Sequence, residues 1–452
     1  MADRDEAIHQ VRLAPIAGRA RIDVLDVLRG IAILGIFYMN IPFMGEPIVA
    51  LMGHIRMVGW TVPDQWAWAI INVVAEGTQR GTLEMLFGAG MMILTAKAME
   101  PDGPVAVADL YMRRTLWLLA FGLADVFLLL WPGDILHIYA LAALLLFPFR
   151  RLGPKLLVAL GLLWSVFSVV QGASEYVDRT ALIAKVEAAH VAQAAHRAPS
   201  KDQQAALKTW QEKLDKLKSL SAKERKDLAD ETRARRGPFM GYAQMVWKSW
   251  LTIVAPTDLF SVAEAFCTML IGIALFKWGV IQGQRTPGFY LGMAAIAYAF
   301  GMGARAWGVH EIAAFQPQPK LIWMLEEPAR LAVTLGHVAI VNFLMQTRVG
   351  HLLLSPFKAA GKAAFSLYVI ETIIGMWILF PGIGLGWWDR FGWFGLAVTA
   401  TVTIGCLLVL ANVWMRLFAM GPLEWAWRSL AYLKVQRFRH RRGGDPAIVV
   451  GP

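Results

Sequence analysis

The sequence predicts an all-α fold: a polytopic transmembrane helical bundle of about ten spans with a helical insert on its outer, periplasmic side. Three observations carry that expectation. Hydrophobic residues make up 57% of the chain and charged residues only 17%, with a mean hydropathy of +0.48, a balance a soluble domain of 452 residues could not sustain. The apolar residues fall into runs long enough to cross a bilayer. Lys and Arg gather in alternate short connections, which the positive-inside rule assigns to the cytoplasm. The net charge of +11 is therefore read as orientation signal and lipid contact, not as a nucleic-acid footprint.

Taken in order, residues 1–20 form a polar tail unlike a cleavable signal, expected in the cytoplasm. An N-terminal transmembrane region covers 21–170. Its first span, 25–43, has Arg19, Arg21 and Arg29 on the near side and Asn40-Ile41-Pro42 at the far end. Residues 65–75 are too few to span and read as an interfacial or re-entrant helix. After a break at 76–80, the run 83–98 returns to a basic connection at Lys97. A hairpin follows over 110–141, turning at Trp131-Pro132-Gly133-Asp134, with Arg113, Arg114, Arg150 and Arg151 at its base as topological anchors. Residues 156–170 cross outward.

From 171 to 250 the chain turns polar. Leu207, Trp210, Leu214 and Leu217 keep three-and-four spacing, which predicts an amphipathic helix, and Ser221 with Glu224 forms a capping box for another. A basic outer loop of this length is exempt from the charge rule. The C-terminal transmembrane region, 251–435, holds spans at 260–280, 288–307, 331–345, 363–380 and 393–415. A Trp-rich interfacial helix comes next, in which Glu424 and Arg428 stand four apart and can pair. Residues 436–452 are a basic tail. Lys277, Arg285, Arg348, Lys358, Lys362 and Arg416 all fall on the predicted cytoplasmic side, which places both termini there.

Ionisable groups at membrane depth are costly and point to function. Asp134 heads a helix, where it can cap free amides, and His137 lies one turn later. A carboxylate beside an imidazole can fix the tautomer of a general base, so the pair is a candidate dyad. His337 is a second candidate base, set against a purely hydrogen-bonded role between helices. Asp125, Glu371, Glu84 and Glu264 lie within or beside spans and are expected to share a polar cavity. Asp26 and Arg29 are three apart and can pair, as an orientation device or as a site for an anionic group. Cys267 and Cys406 are expected to be free thiols, and no metal is expected, because no ligand spacing is present.

Three segments together carry a family resemblance over nearly the whole chain except the insert. The first is Leu25-Asp26-Val27-Leu28-Arg29-Gly30 with Gly35 and Asn40. The second runs from Leu86-Phe87-Gly88-Ala89-Gly90 through Arg113-Arg114 to Gly133-Asp134-Ile135-Leu136 and Tyr139. The third is Gly361-Lys362-Ala363 with Tyr368, then Gly421-Pro422-Leu423-Glu424-Trp425. In this order they resemble the YeiB-like bacterial membrane proteins, grouped as domain of unknown function 418. Departures fall at Asp125 or Val126, where that family often has His, and at Lys362, Leu367 and Glu371.

The family is distantly similar to membrane acyltransferases such as heparan-alpha-glucosaminide acetyltransferase. That likeness implies an inner-membrane enzyme using acyl-CoA as co-substrate and a small-molecule or glycan hydroxyl or amine as acceptor. His137 or His337 would serve as base with Asp134, and Asp26, Arg29, Asn40, Arg80, Tyr139 and Tyr368 are the candidate substrate contacts. Buried carboxylates and histidines suit a proton-coupled transporter equally, and the insert suits a scaffold that docks a periplasmic partner. Membrane lipid is the one partner expected under all three readings, and oligomeric state is left open.

Overall fold

Runs of 4 to 32 residues in the computed structural model form helices, and the described residues, 22–96 and 105–439, contain no β-strand. The tail 1–20, the Lys97 connection and the last residues of the basic tail, 440–452, lie outside them. The N-terminal region comprises α1 (Asp23–Gly35), α2 (Phe37–Gly45), α3 (Ile48–Leu51), α4 (Val62–Val74), α5 (Thr78–Thr95), α6 (Val105–Phe127), α7 (Leu136–Leu146) and α8 (Pro154–Gly161). The insert is carried by α9 (Leu163–Ala194), α10 (Lys201–Lys218) and α11 (Ala222–Arg236). Then come α12 (Phe239–Ser249), α13 (Asp258–Lys277), α14 (Pro287–Ala313), α15 (Ile322–Met345), α16 (Arg348–Lys362), α17 (Ala364–Ile373), α18 (Trp393–Leu417) and α19 (Pro422–Ala431).

The chain is thus an all-α membrane protein, but its apolar helices are fewer than the expected ten. Among the described residues five are long and apolar enough to cross a bilayer: Asp23–Gly45, Pro154–Ala194, Phe239–Lys277, Ile322–Met345 and Trp393–Leu417. A sixth arises if α16 and the helix after it, bent by 76°, count as one. The other expected spans fall short for physical reasons: α7 has only 11 residues, and α5, α6 and α14 bury Glu84, Asp125 and Arg305. Their charges are matched by neighbouring helices rather than by lipid, so hydropathy alone underrates them.

Two contacts fix the ends of the bundle. At one end α1 and α16 cross in near backbone contact: a Cβ on Gly30 would lie 2.0 Å from the Phe357 carbonyl, and one on Gly361 1.8 Å from that of Asp26. This brings the Arg29 and Lys362 ends of both helices to one basic end of the bundle. At the other end the insert closes on the loops after α2 and α17. Arg235 donates to the Met44 carbonyl at 3.0 Å, Glu231 accepts from the Ile48 amide at 3.1 Å, and the Gly382 amide donates to the Arg235 carbonyl at 2.7 Å. α9 runs without a break through 171, so the change from apolar to polar sequence there is a change of surroundings within a single helix. The expected capping box is in place, with Ser221 Oγ accepting from the Glu224 amide at 3.2 Å.

Candidate functional site

The turn between α6 and α7 builds the first part of the site. Asp134 caps α7 by accepting from the His137 amide at 2.9 Å, and the same oxygen meets His137 Nδ1 at 2.8 Å. The other ring nitrogen, Nε2, lies 3.3 Å from Asp258 Oδ2 at the head of α13. The imidazole is therefore held between two carboxylates, rather than offering a nitrogen to substrate as a simple dyad would. The Tyr368 hydroxyl on α17 donates to Asp134 Oδ1 at 3.2 Å and accepts from Trp131 Nε1 at 3.2 Å and the Ile135 amide at 3.1 Å. Asp125, one helix away, accepts from Thr372 Oγ1 at 3.3 Å and lies close enough to Asp134 to interact with it. Close packing depends on Gly122, where a Cβ would sit 2.4 Å from the His137 nitrogen and 2.7 Å from Asp134 Oδ2.

Beside this chain lies a cavity of about 230 Å³ that reaches the basic end. Its walls are apolar, from Leu86, Phe87 and Met91, and Tyr139 and Tyr368 line it with Ile135. Arg29, Arg114, Lys362 and Arg428 also line it. Arg29 pairs with Asp26 at 2.9 Å, and the Arg114 guanidinium stacks on the Trp427 ring at 4.5 Å. Glu424 does not turn toward Arg428. Its carboxylate accepts from the Phe365 amide at 2.7 Å and Ser366 Oγ at 2.5 Å, capping α17 from a distant part of the chain, because the first turn of a helix leaves amides free.

A second ionisable layer lies above the cavity. Arg330 chelates Glu327 at 2.6 and 2.8 Å, meets Glu264 at 3.2 Å and Glu84 at 3.3 Å, and donates to Thr268 at 3.0 Å. Arg80 meets Glu264 at 2.6 Å and Glu84 at 3.7 Å. The Tyr139 hydroxyl donates to the Arg80 carbonyl at 3.1 Å, tying the layer to the cavity beneath.

The expected carboxylates thus divide. Glu84 and Glu264 join the arginine layer, Asp125 joins Asp134, and Glu371 is buried with neither oxygen hydrogen-bonded among the described residues. A single shared chamber would have left the carboxylates to repel one another, whereas two guanidiniums draw Glu84 and Glu264 away. His337 stands apart, with Nδ1 2.8 Å from the Tyr298 hydroxyl and Nε2 2.9 Å from the Val74 carbonyl, so both nitrogens are engaged. Asn40 is nearly buried and its Nδ2 has no partner among the described residues. Asp258, Thr268, Glu327 and Arg330 are additions that sequence reasoning misses. A carboxylate and an arginine three apart at 327 and 330 is the available signal, but a span drawn from 331 hides it. No group of three or more His, Cys, Asp and Glu among the described residues is arranged to hold a metal, and both cysteines are free.

Apolar helices that bury charged side chains, a carboxylate–imidazole–carboxylate chain and an arginine-centred layer define a helical membrane protein with an ionisable interior. Its residues 275–434 match the family model described as "Protein of unknown function (DUF418)". Among its relatives are "Uncharacterized protein YxaH" of Bacillus subtilis (strain 168), 29% identical over 94% of this chain and 97% of that one, and "Uncharacterized protein YeiB" of Escherichia coli (strain K12), 26% identical over 90% and 95%. An "Uncharacterized 39.9 kDa protein in amylase 3'region" of Bacillus acidopullulyticus is 21% identical over 92% and 96%. No solved structure matches the chain.

Proposed function

We propose that the protein is an inner-membrane acyltransferase, taking an acyl group from acyl-CoA on a cytoplasmic basic face and passing it to a hydroxyl or amine acceptor. The observation that carries this reading is the cavity with four cationic side chains in its lining, apolar walls and Tyr368 against Asp134. Arg29, Arg114, Lys362 and Arg428 suit the phosphates of the donor, and Leu86, Phe87 and Met91 suit its acyl chain. The Tyr368 hydroxyl is the proton-transfer group that faces the cavity. In this reading it takes the acceptor proton as its own passes to Asp134 and His137, with the Trp131 and Ile135 N–H groups holding its oxygen in place. The acceptor oxygen or nitrogen then bonds to the thioester carbon, the carbon–sulfur bond breaks, and the thiolate leaves with a proton.

Protein in nanodiscs given acetyl-CoA labelled on the acetyl group, with a membrane extract as acceptor source, tests this. Label should transfer, and Tyr368→Phe and Asp134→Asn should lower the rate by about 10²- to 10⁴-fold without weakening donor binding. Donor binding unaffected by Arg29→Ala combined with Arg114→Ala would overturn the assignment of the basic end.

A second reading, proton-coupled transport, is favoured by one observation. A separate cavity of about 390 Å³ lies toward the insert, and the Arg80–Glu84–Glu264–Arg330 layer stands between the two, as alternating access requires of a closed middle. Proteoliposomes that accumulate a solute under a proton gradient, with no label transferred from acetyl-CoA, would select it.

A further inference from the structure

The cavity toward the insert has a chemistry of its own. Its walls are apolar and aromatic, with Tyr38, Trp68, Phe315 and Trp393 among them, and Leu217 of α10 reaches in from the insert. Glu76, in the link between α4 and α5, also lines it. The buried charges around that link do not cancel by direct pairing. Glu84, Glu264 and Glu327 each meet Arg80 or Arg330 within 4.0 Å, but the third guanidinium, Arg305, donates to the carbonyls of Asn72, Val73 and Glu76 that end α4. Arg305 therefore serves as a helix C-cap. The Glu76 carboxylate makes no hydrogen bond or ion pair among the described residues, and feels Arg80 and Arg305 only at longer range. Glu326 lies near the same groups, so five carboxylates face three arginines and leave an excess of carboxylate at the cavity wall. Lys320, the cation that shares this lining, donates to the Gln316 carbonyl at 2.8 Å.

We infer that this cavity is a binding site for a hydrophobic amine, its ammonium on Glu76 and its apolar body against Trp68, Phe315 and Trp393 under Leu217. An ammonium supplies the charge and the donors Glu76 lacks, and the apolar aromatic walls and the volume suit a small amphiphile. This assignment does not depend on acyl transfer.

The test uses the full chain in nanodiscs of neutral phosphatidylcholine, with empty nanodiscs as the partition control and tryptophan fluorescence as readout. Decylamine is the probe, with decanol as its neutral counterpart. Decylamine should bind more tightly than decanol. Glu76→Gln should weaken the amine by about tenfold or more, the scale of one charged hydrogen bond, and leave decanol unchanged. Leu217→Trp, on a helix outside the bundle, should fill the cavity and weaken both. Equal affinity for amine and alcohol in the unaltered protein overturns the assignment, as does amine binding that is indifferent to both substitutions. Should Glu76→Gln fail to fold, the Leu217→Trp result and the amine–alcohol comparison decide the matter.

Discussion

Replacing Glu46 with Gln removes a carboxyl that the fold seals at the foot of the insert. Its side chain is 1% exposed and Oε1 has no hydrogen-bond partner among the described residues. Burial, with the Asp389 carboxylate adding repulsion, pushes its pKa from 4.5 to about 8. An acid whose pKa is raised on folding binds its proton more tightly in the native state. Its contribution is therefore fully present below pH 4.5, declines as pH climbs, and is lost above about pH 8. At roughly 1.4 kcal/mol per pH unit, crossing that window costs on the order of 5 kcal/mol, equivalent to about 5 °C in Tm for a chain of this size. Burial raises Asp389 and Glu231 as well, so the informative quantity is the difference between the two proteins. Thermal unfolding in detergent, followed by tryptophan fluorescence from pH 4 to 9, should show equal stability at the acid end and Glu46→Gln about 5 °C more stable at the alkaline end. Parallel curves would refute the reasoning, because they would mean that Glu46 ionises in contact with water.

Three further substitutions probe the interior. Gly122→Ala forces a methyl against the His137 amide and should cost about 1–3 kcal/mol, read as a lower Tm; an unchanged Tm would show that α6 and the turn can separate freely. Arg330→Met leaves Glu84, Glu264 and Glu327 without their common cation and should cost about 3–5 kcal/mol, seen as loss of monodisperse protein on size exclusion, with Arg330→Lys a poor rescue because it cannot chelate Glu327. Glu424→Ala should cost about 0.5–2 kcal/mol and speed hydrogen exchange at the Phe365 and Ser366 amides, and unaltered exchange there would remove Glu424 from its capping role.

Much of the architecture is legible in the sequence because bilayer thickness imposes a length on apolar runs. The Asp134 cap and its neighbour His137 are legible too, since one helical turn brings them together whatever the rest of the chain does. Partners from elsewhere are not. Asp258 reaches His137 from 121 positions away, and Arg330 reaches Glu84 from 246. Local spacing carries no trace of either. α16 escapes because its apolar residues cover only one face, with Pro356 inside it, so a search for continuous runs passes over it. Glu424 misleads for a related reason: pairing four apart is the local option, and three donors at the head of α17 outcompete it.

The unbroken course of α9 has a mechanical consequence. Its 32 residues make a rod about 48 Å long, one end among the insert helices and the other beside α8. About a third of the way along it, Gly172 lets it ride directly on the backbone of α15 at Trp323, two turns before Arg330. Any force that tilts the insert is therefore delivered, through a stiff member rather than a hinge, to the helix that carries the central arginine.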